Sequence, residues 1–185
     1  MGINLYRKLF HISSGLIIYG LSYKISYIAL GVVLIFLWIG LSLFEFLRLF
    51  FYKYLPLKFL WLPLLKEEEH KRISDAWYFL TGIFFSWFIL DLKYFQIILL
   101  ILTLADPCAS MIGYYFGKIK LKNNKTLEGS LAFFITSSLI LFLNIKTFFS
   151  FLYLCCIILS LVEAFTKRDN FWIPLIGSLY LKILG

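Results

Sequence analysis

The stretch LADPCASMIGYYFGKIKLKNNKTLEGSLAFF, Leu104 to Phe134, combines residue types that seldom meet by chance. Asp106 sits in an apolar run, a glycine-containing turn with four lysines follows, and Glu128 opens the next apolar run. A carboxylate within an apolar segment is costly unless partnered, so its default interpretation is functional. Pro107 removes a backbone donor and disfavours helical geometry at the residue before it. The pair therefore predicts a helix interrupted at Asp106–Pro107, with the carboxylate aimed into a cavity. An aspartate capping a helix that restarts at Pro107 is the plainer alternative.

The turn that follows suits a polyphosphate. Gly113 and Gly117 would let backbone approach a ligand closely. Lys118, Lys120, Lys122 and Lys125 offer positive charge, and Thr126 stands just ahead of a helix whose first N–H groups favour an anion. No GxxxxGK[ST] loop occurs, and a lysine cluster alone also describes a solvated loop. Asp106 and Glu128 flanking the turn add the expectation of a divalent cation, Mg²⁺, beside the phosphates. Two further segments carry polar groups. In RKLFH, Arg7 and His11 lie four apart and share a face if helical; Arg7 and Lys8 also fit as topological anchors, and His11 as an interfacial imidazole. In VEAFTKRDN, Asp169 and Asn170 can cap the last helix, whereas Glu163 lies a turn or two inside an apolar run.

The elements that must position these groups are membrane helices. Of 185 residues, 62% are hydrophobic and only 15% charged, and mean hydropathy is +0.89. A water-soluble domain is usually nearer a quarter charged, so the composition predicts a multi-pass membrane protein. Candidate spans are 9–23, 26–47, 75–91, 94–116, 128–145, 147–165 and 170–184. The first and last are short against the ~20 residues a crossing needs. Of the 18 lysines and arginines, 14 fall at one set of alternate ends and 4 at the other. That bias predicts an all-α bundle of about seven transmembrane helices with the N-terminus cytoplasmic. It also reads the net charge of +8 as topology rather than as a nucleic-acid footprint. Nine of the ten acids fall in the cytoplasmic half, Asp91 being the exception, which predicts a polar site facing the cytoplasm. The loop 48–74, with Pro56 and Pro63, is apolar and basic together and suits the membrane interface. Cys108, Cys155 and Cys156 lie in apolar runs without metal-ligand spacing and fit as buried small residues. No cleavable signal peptide is expected, and the chain forms a single domain.

Taken in order, RKLFH, ADPCASMIGYYFGK, NKTLEGSLAFF and VEAFTKRDNFWIPL resemble the CTP-dependent lipid-alcohol kinases, the family of dolichol kinase, phytol kinase and the fungal-type CTP-dependent diacylglycerol kinase. The resemblance spans nearly the whole chain, and its most specific part runs from Asp106 to Gly129. It implies phosphoryl transfer from CTP to the hydroxyl of a membrane-embedded lipid: a polyprenol, dolichol, phytol or related isoprenoid, or diacylglycerol. Arg7, Lys8, Asp106, Gly113, Gly117, Lys118, Lys125, Thr126, Glu128 and Gly129 match the family pattern, as do Asp169 and Asn170 in its late pair. Where many relatives carry glycine before the aspartate, this chain has Ala105. The implied roles are Mg²⁺ on Asp106 with Glu128 or Asp169, and phosphate neutralisation by Lys118, Lys125, Arg7 and Lys8. Asp106 or His11 would serve as proton acceptor. Two rivals are weighed against the kinase. A phosphatidate cytidylyltransferase would carry a glycine–histidine–glycine run near its C-terminus, whereas the histidines here are His11 and His70. An ion-coupled transporter would place acids near the midplane of matching halves.

Overall fold

The computed structural model describes residues 5–146 and 150–184. Its main helices are α1 (Leu5–Leu21), α2 (Tyr27–Phe50), the short α3 (Lys58–Trp61), α4 (Asp75–Ile89), α5 (Leu92–Leu100), α6 (Asp106–Phe116), α7 (Leu127–Ile145), α8 (Ser150–Phe165) and α9 (Asp169–Leu184). No strand occurs among the described residues; an isolated bridge joins Lys120 to Thr126. Each of the seven apolar segments expected from the sequence coincides with a helix over its described residues; 147–149 of the expected segment 147–165 lie outside them. Three stretches are long and apolar enough to cross a membrane: Tyr27–Phe50, Leu92–Phe116 and Leu127–Ile145.

Local chemistry sets the helix starts. Ser26, Ser74 and Thr126 are N-caps whose hydroxyl oxygens accept from the amides of Ala29, Trp77 and Gly129 at 3.2, 3.3 and 3.1 Å. Each satisfies one of the orphan donors of a first helical turn. The core forms along α5, where Ile97, Ile98 and Leu99, then Ile101 and Leu102, are fully buried. By contrast α2 turns Ile28, Phe36, Ile39 and Leu43 outward, an apolar face that suits lipid rather than water.

The expected interruption at Asp106–Pro107 is corrected by the structure. The chain runs from Leu92 to Phe116 without a break, and Asp106 has helical dihedrals, φ −64° and ψ −49°. A π-helical turn, Ile101–Ala105, absorbs the proline instead. Widening the preceding turn relieves the clash of the proline ring with the carbonyl four residues back.

Helix pairing positions the site. α6 packs on α7, α7 on α8, α8 on α9, α9 on α4, and α4 on α2, while α1 lies on α5 and the π turn. Of the interfacial loop expected over 48–74, residues 48–50 belong to α2, and 51–74 is built of short helical turns fastened beneath α2. Its fastener is Arg48, 1% exposed at the end of α2. The guanidinium donates to the carbonyls of Glu69 (2.7 Å) and Arg72 (2.6 Å) and to the Glu45 carboxylate (2.5 Å). A buried charge is tolerable only when satisfied in this way.

Candidate functional site

Three carboxylates converge, one from within the continuous Leu92–Phe116 helix and two from either side of the α8–α9 turn. Asp106 comes from the start of α6, Glu163 from the end of α8 and Asp169 from the start of α9, and an oxygen of each lies within 4.8 Å of the others. Asp106 is 6% exposed and Glu163 2%. Two lysines meet them. Lys125 Nζ stands 2.6 Å from Glu163 Oε1 and also donates to Asp169 Oδ2, and Lys8 Nζ stands 3.6 Å from Asp106 Oδ2. Ser130 Oγ donates to Glu163 Oε2 at 2.8 Å. Burial opposes the charge on Lys125, but Asp169, Asp106 and Glu163 outweigh it and hold its ammonium protonated far above the usual lysine range.

Three carboxylates against two ammonium groups leave one formal negative charge in this cluster. Beside Asp169 stands Asn170, 8% exposed, whose Oδ1 is buried without a hydrogen-bond partner among the described residues. An unsatisfied amide oxygen beside three carboxylates adds to the oxygen ligands of the type that hard divalent cations bind. Asp106, Glu163, Asp169 and Asn170 are therefore the residues that could hold Mg²⁺.

A second ionic group borders the first. Arg7 Nη1 lies 2.8 Å from Asp75 Oδ2 and 3.8 Å from Glu69 Oε1, and Lys66 Nζ lies 2.6 Å from the same Asp75 oxygen. Burial, then the Asp75 charge, push the Glu69 carboxyl up from its ordinary range. These residues tie α1 and α4 to segment 51–74.

Both groups open on a cavity of about 630 Å³ between α1, α2, α4 and segment 51–74. Arg7, Lys8, Asp75, Asp106 and Asn170 line its polar part, and Ile17, Phe36, Leu41, Phe44 and Trp61 its apolar part. Along α1 the lining residues pass from Arg7 and Lys8 through His11 to Ser14, Ile17 and Ile18. The cavity is thus amphipathic along its length, the form a lipid with a polar terminus requires.

The structure brings together Arg7, Lys8, His11, Asp106, Lys125, Asp169 and Asn170, as the sequence led one to expect. It places the other six, Glu128, Lys118, Gly113, Gly117, Gly129 and Thr126, elsewhere. Glu128, expected as a metal ligand, accepts from the Ile119 amide at 3.2 Å and stands outside the carboxylate cluster. Lys118 is exposed on the turn, and so are Lys120 and Lys122. Gly113 and Gly117 do not border an open ligand space. A Cβ on Gly113 would meet Thr126 Oγ1 at 2.7 Å, and one on Gly117 would meet the Gly113 carbonyl at 2.2 Å. A Cβ on Gly129 would meet the Ala109 carbonyl at 2.8 Å. These glycines serve the close approach of α6 to Thr126 and α7, a small-residue contact of the kind that joins membrane helices. Thr126 spends its hydroxyl on the α7 cap. Glu163 is the functional candidate that sequence reasoning left without a role. Its signal was a carboxylate inside an apolar run, but the partners that give it meaning, Lys125 and Ser130, lie more than thirty residues away.

No family model and no solved structure matches the chain. It is 34% identical over 129 residues to the uncharacterized protein MJ1137 of Methanocaldococcus jannaschii. That match covers 66% of the chain and 65% of the relative, so the chain spans just under two thirds of the relative's length.

Proposed function

We propose that the chain is an integral membrane kinase that transfers the terminal phosphate of CTP to the hydroxyl of a lipid alcohol, in the manner of the CTP-dependent lipid-alcohol kinases. The observation that carries this proposal is the amphipathic cavity ending at the carboxylate cluster. Its apolar part would take the lipid tail, and its charged part would meet a metal-bound nucleotide. CTP as donor, and an isoprenoid alcohol or diacylglycerol as acceptor, rest on the resemblance of the four motifs. Seven crossings with the N-terminus cytoplasmic would put the cluster at the cytoplasmic face, an orientation supported by the 14-to-4 distribution of basic residues.

In this proposal Asp106, Glu163, Asp169 and Asn170 hold Mg²⁺, in place of the ligand set with Glu128. The ion would supply positive charge to the phosphate oxygens. Lys8 offsets Asp106 from α1, and Lys125 fills the remainder of the cluster with positive charge. Arg7, joined to Asp75, fixes the cytoplasmic end of α1 beside the cluster. Phosphoryl transfer asks chiefly for such positioning and charge, because its loose transition state needs little covalent help.

The test is an assay of purified protein in lipid nanodiscs, with each labelled nucleoside triphosphate against a panel of prenols and diacylglycerol. CDP plus a lipid phosphate is the expected result. Pyrophosphate plus a CDP-lipid would establish the cytidylyltransferase reaction instead, and ion flux in liposomes without nucleotide turnover would establish a transporter.

A further inference from the structure

His11 lies three residues after Lys8 on α1, where the lining of the cavity changes from charged to apolar. Its Nε2 is 3.0 Å from the carbonyl oxygen of Leu102. Leu102 belongs to the π turn, and the nitrogen five residues on, its partner in a π register, is that of Pro107. Proline carries no N–H. The Leu102 carbonyl thus lacks that partner, and the imidazole takes its place. A peptide carbonyl can only accept, so Nε2 must carry the ring proton. In the neutral imidazole the lone pair is then on Nδ1, which has no hydrogen-bond partner among the described residues. Phe79, its ring centroid 4.5 Å away, packs against the imidazole and helps fix its plane.

This arrangement separates His11 from the other candidate proton acceptor. Asp106 is bound to Lys8 and shares its cluster with Glu163 and Asp169, whereas Nδ1 is an acceptor with nothing yet to accept. The hydroxyl of a lipid whose tail lies along Ile17 and Ile18, and whose oxygen must reach a phosphate near Lys8 and Asp106, has to pass the level of His11.

We propose that His11 is the residue that receives the acceptor alcohol: Nδ1 accepts the hydrogen bond of its hydroxyl and takes the proton as the oxygen attacks phosphorus. The inference rests on the kinase function proposed above. The alcohol O–H bond breaks and an O–P bond forms to the terminal phosphate. The bridging P–O bond of the nucleotide breaks with its electron pair left on the diphosphate, and the proton stays on Nδ1 until the products leave. Arg7, Lys8, Asp106, Asp75 and Glu69 are the charged groups that line the cavity with His11. The Leu102 carbonyl holds the ring in the one tautomer that can accept.

The chain has two histidines, and His70 is exposed outside the site, so His70→Gln leaves a single imidazole to observe. Nitrogen-15 histidine spectra of that protein in nanodiscs should show a protonated Nε2 and an unprotonated Nδ1, with Nδ1 shifting as geranylgeraniol is added. A proton on Nδ1, or no shift at saturating prenol, would overturn the proposal. Kinetics give the second test. His11→Gln keeps a donor and an acceptor but no base; its prenol KM should stay within threefold while kcat falls about 100-fold, the scale of a lost proton acceptor. His11→Ala should recover turnover with added imidazole. A kcat for His11→Gln within threefold of wild type would refute the proton transfer. A prenol-dependent shift in a protein that transfers no phosphate would refute the kinase function, and the proton transfer with it, but not the hydroxyl contact.

Discussion

Asp106 follows the π turn inside a continuous helix, far along the chain from Glu163 and Asp169, which flank the turn between α8 and α9. Their closeness makes two residue-scale predictions that the linear order of motifs would not. Glu163→Gln removes a charge from the cluster while keeping its shape. It should raise the Mg²⁺ concentration for half-maximal activity by about tenfold or more, the usual range for disturbing a metal shell. Glu128→Gln, which alters a carboxylate bonded to the Ile119 amide, should change it by less than about twofold, far below that range. A magnesium titration of each variant decides between the two ligand sets. Lys125 gives the second prediction. Its ammonium is clasped by Glu163 and Asp169, so Lys125→Met leaves the buried carboxylates facing one another with one cation fewer. The variant should unfold at lower temperature in EDTA than wild type, and added Mg²⁺ should raise its Tm more than that of wild type, because a ligand bound by the native state stabilises it. Equal Mg²⁺ shifts in the two proteins would remove the cluster as the binding place.

Elements convert sequence into position through a few close contacts. α6 and α7 can come together because Gly113, Gly117 and Gly129 present no side chain where Thr126 and the Ala109 carbonyl stand. Gly129→Leu forces a large side chain against the Ala109 carbonyl, at 2.8 Å from the position of its first carbon. It should cost roughly 1–3 kcal/mol or more, as overpacking does. Fluorescence-detected thermal unfolding in detergent checks this; a Tm unchanged within error would remove the helix contact as the reason for the glycine. The same displacement would move Thr126 and the turn bearing Lys125, so activity should fall along with stability. The π turn before Pro107 works in the opposite sense. It is a local departure from α geometry that keeps Leu92–Phe116 continuous while turning Asp106 toward α1, α8 and α9.

At the scale of the molecule, charge and hydropathy speak to the membrane and the cavity speaks to the ligand. Single cysteines placed in a chain lacking Cys108, Cys155 and Cys156 would test the proposed orientation. Residues 66 and 122 should react with an impermeant maleimide only from the cytoplasmic side, and residues 24 and 93 only from the other. Labelling of both sets from one side would reject the seven-crossing arrangement. The apolar part of the cavity lies between helices held by different partners, α1 by α5 and the π turn, α2 by α4. That separation leaves room for a tail beside the bundle without opening the core around Ile97, Ile98 and Leu99.

The helical, lipid-suited character of this protein is written in local stretches of its chain. Seven apolar segments, Thr126 just ahead of a helix, and the placing of charge at alternate ends are local properties, and local properties are legible along a chain. The sequence also marked Asp106 as a residue that needs a partner, because a charge in an apolar setting is costly wherever it stands. Which partners meet Asp106 follows from how the helices pack, not from its place in the chain. The place of Glu163 rather than Glu128 beside Asp106 and Asp169, the use of three glycines for helix contact, and the approach of His11 to the Leu102 carbonyl all join residues far apart in sequence or depend on helix rotation. Hydrophobic spacing sets which face of a helix is buried, but not which neighbour meets that face. That choice comes from packing all the helices at once.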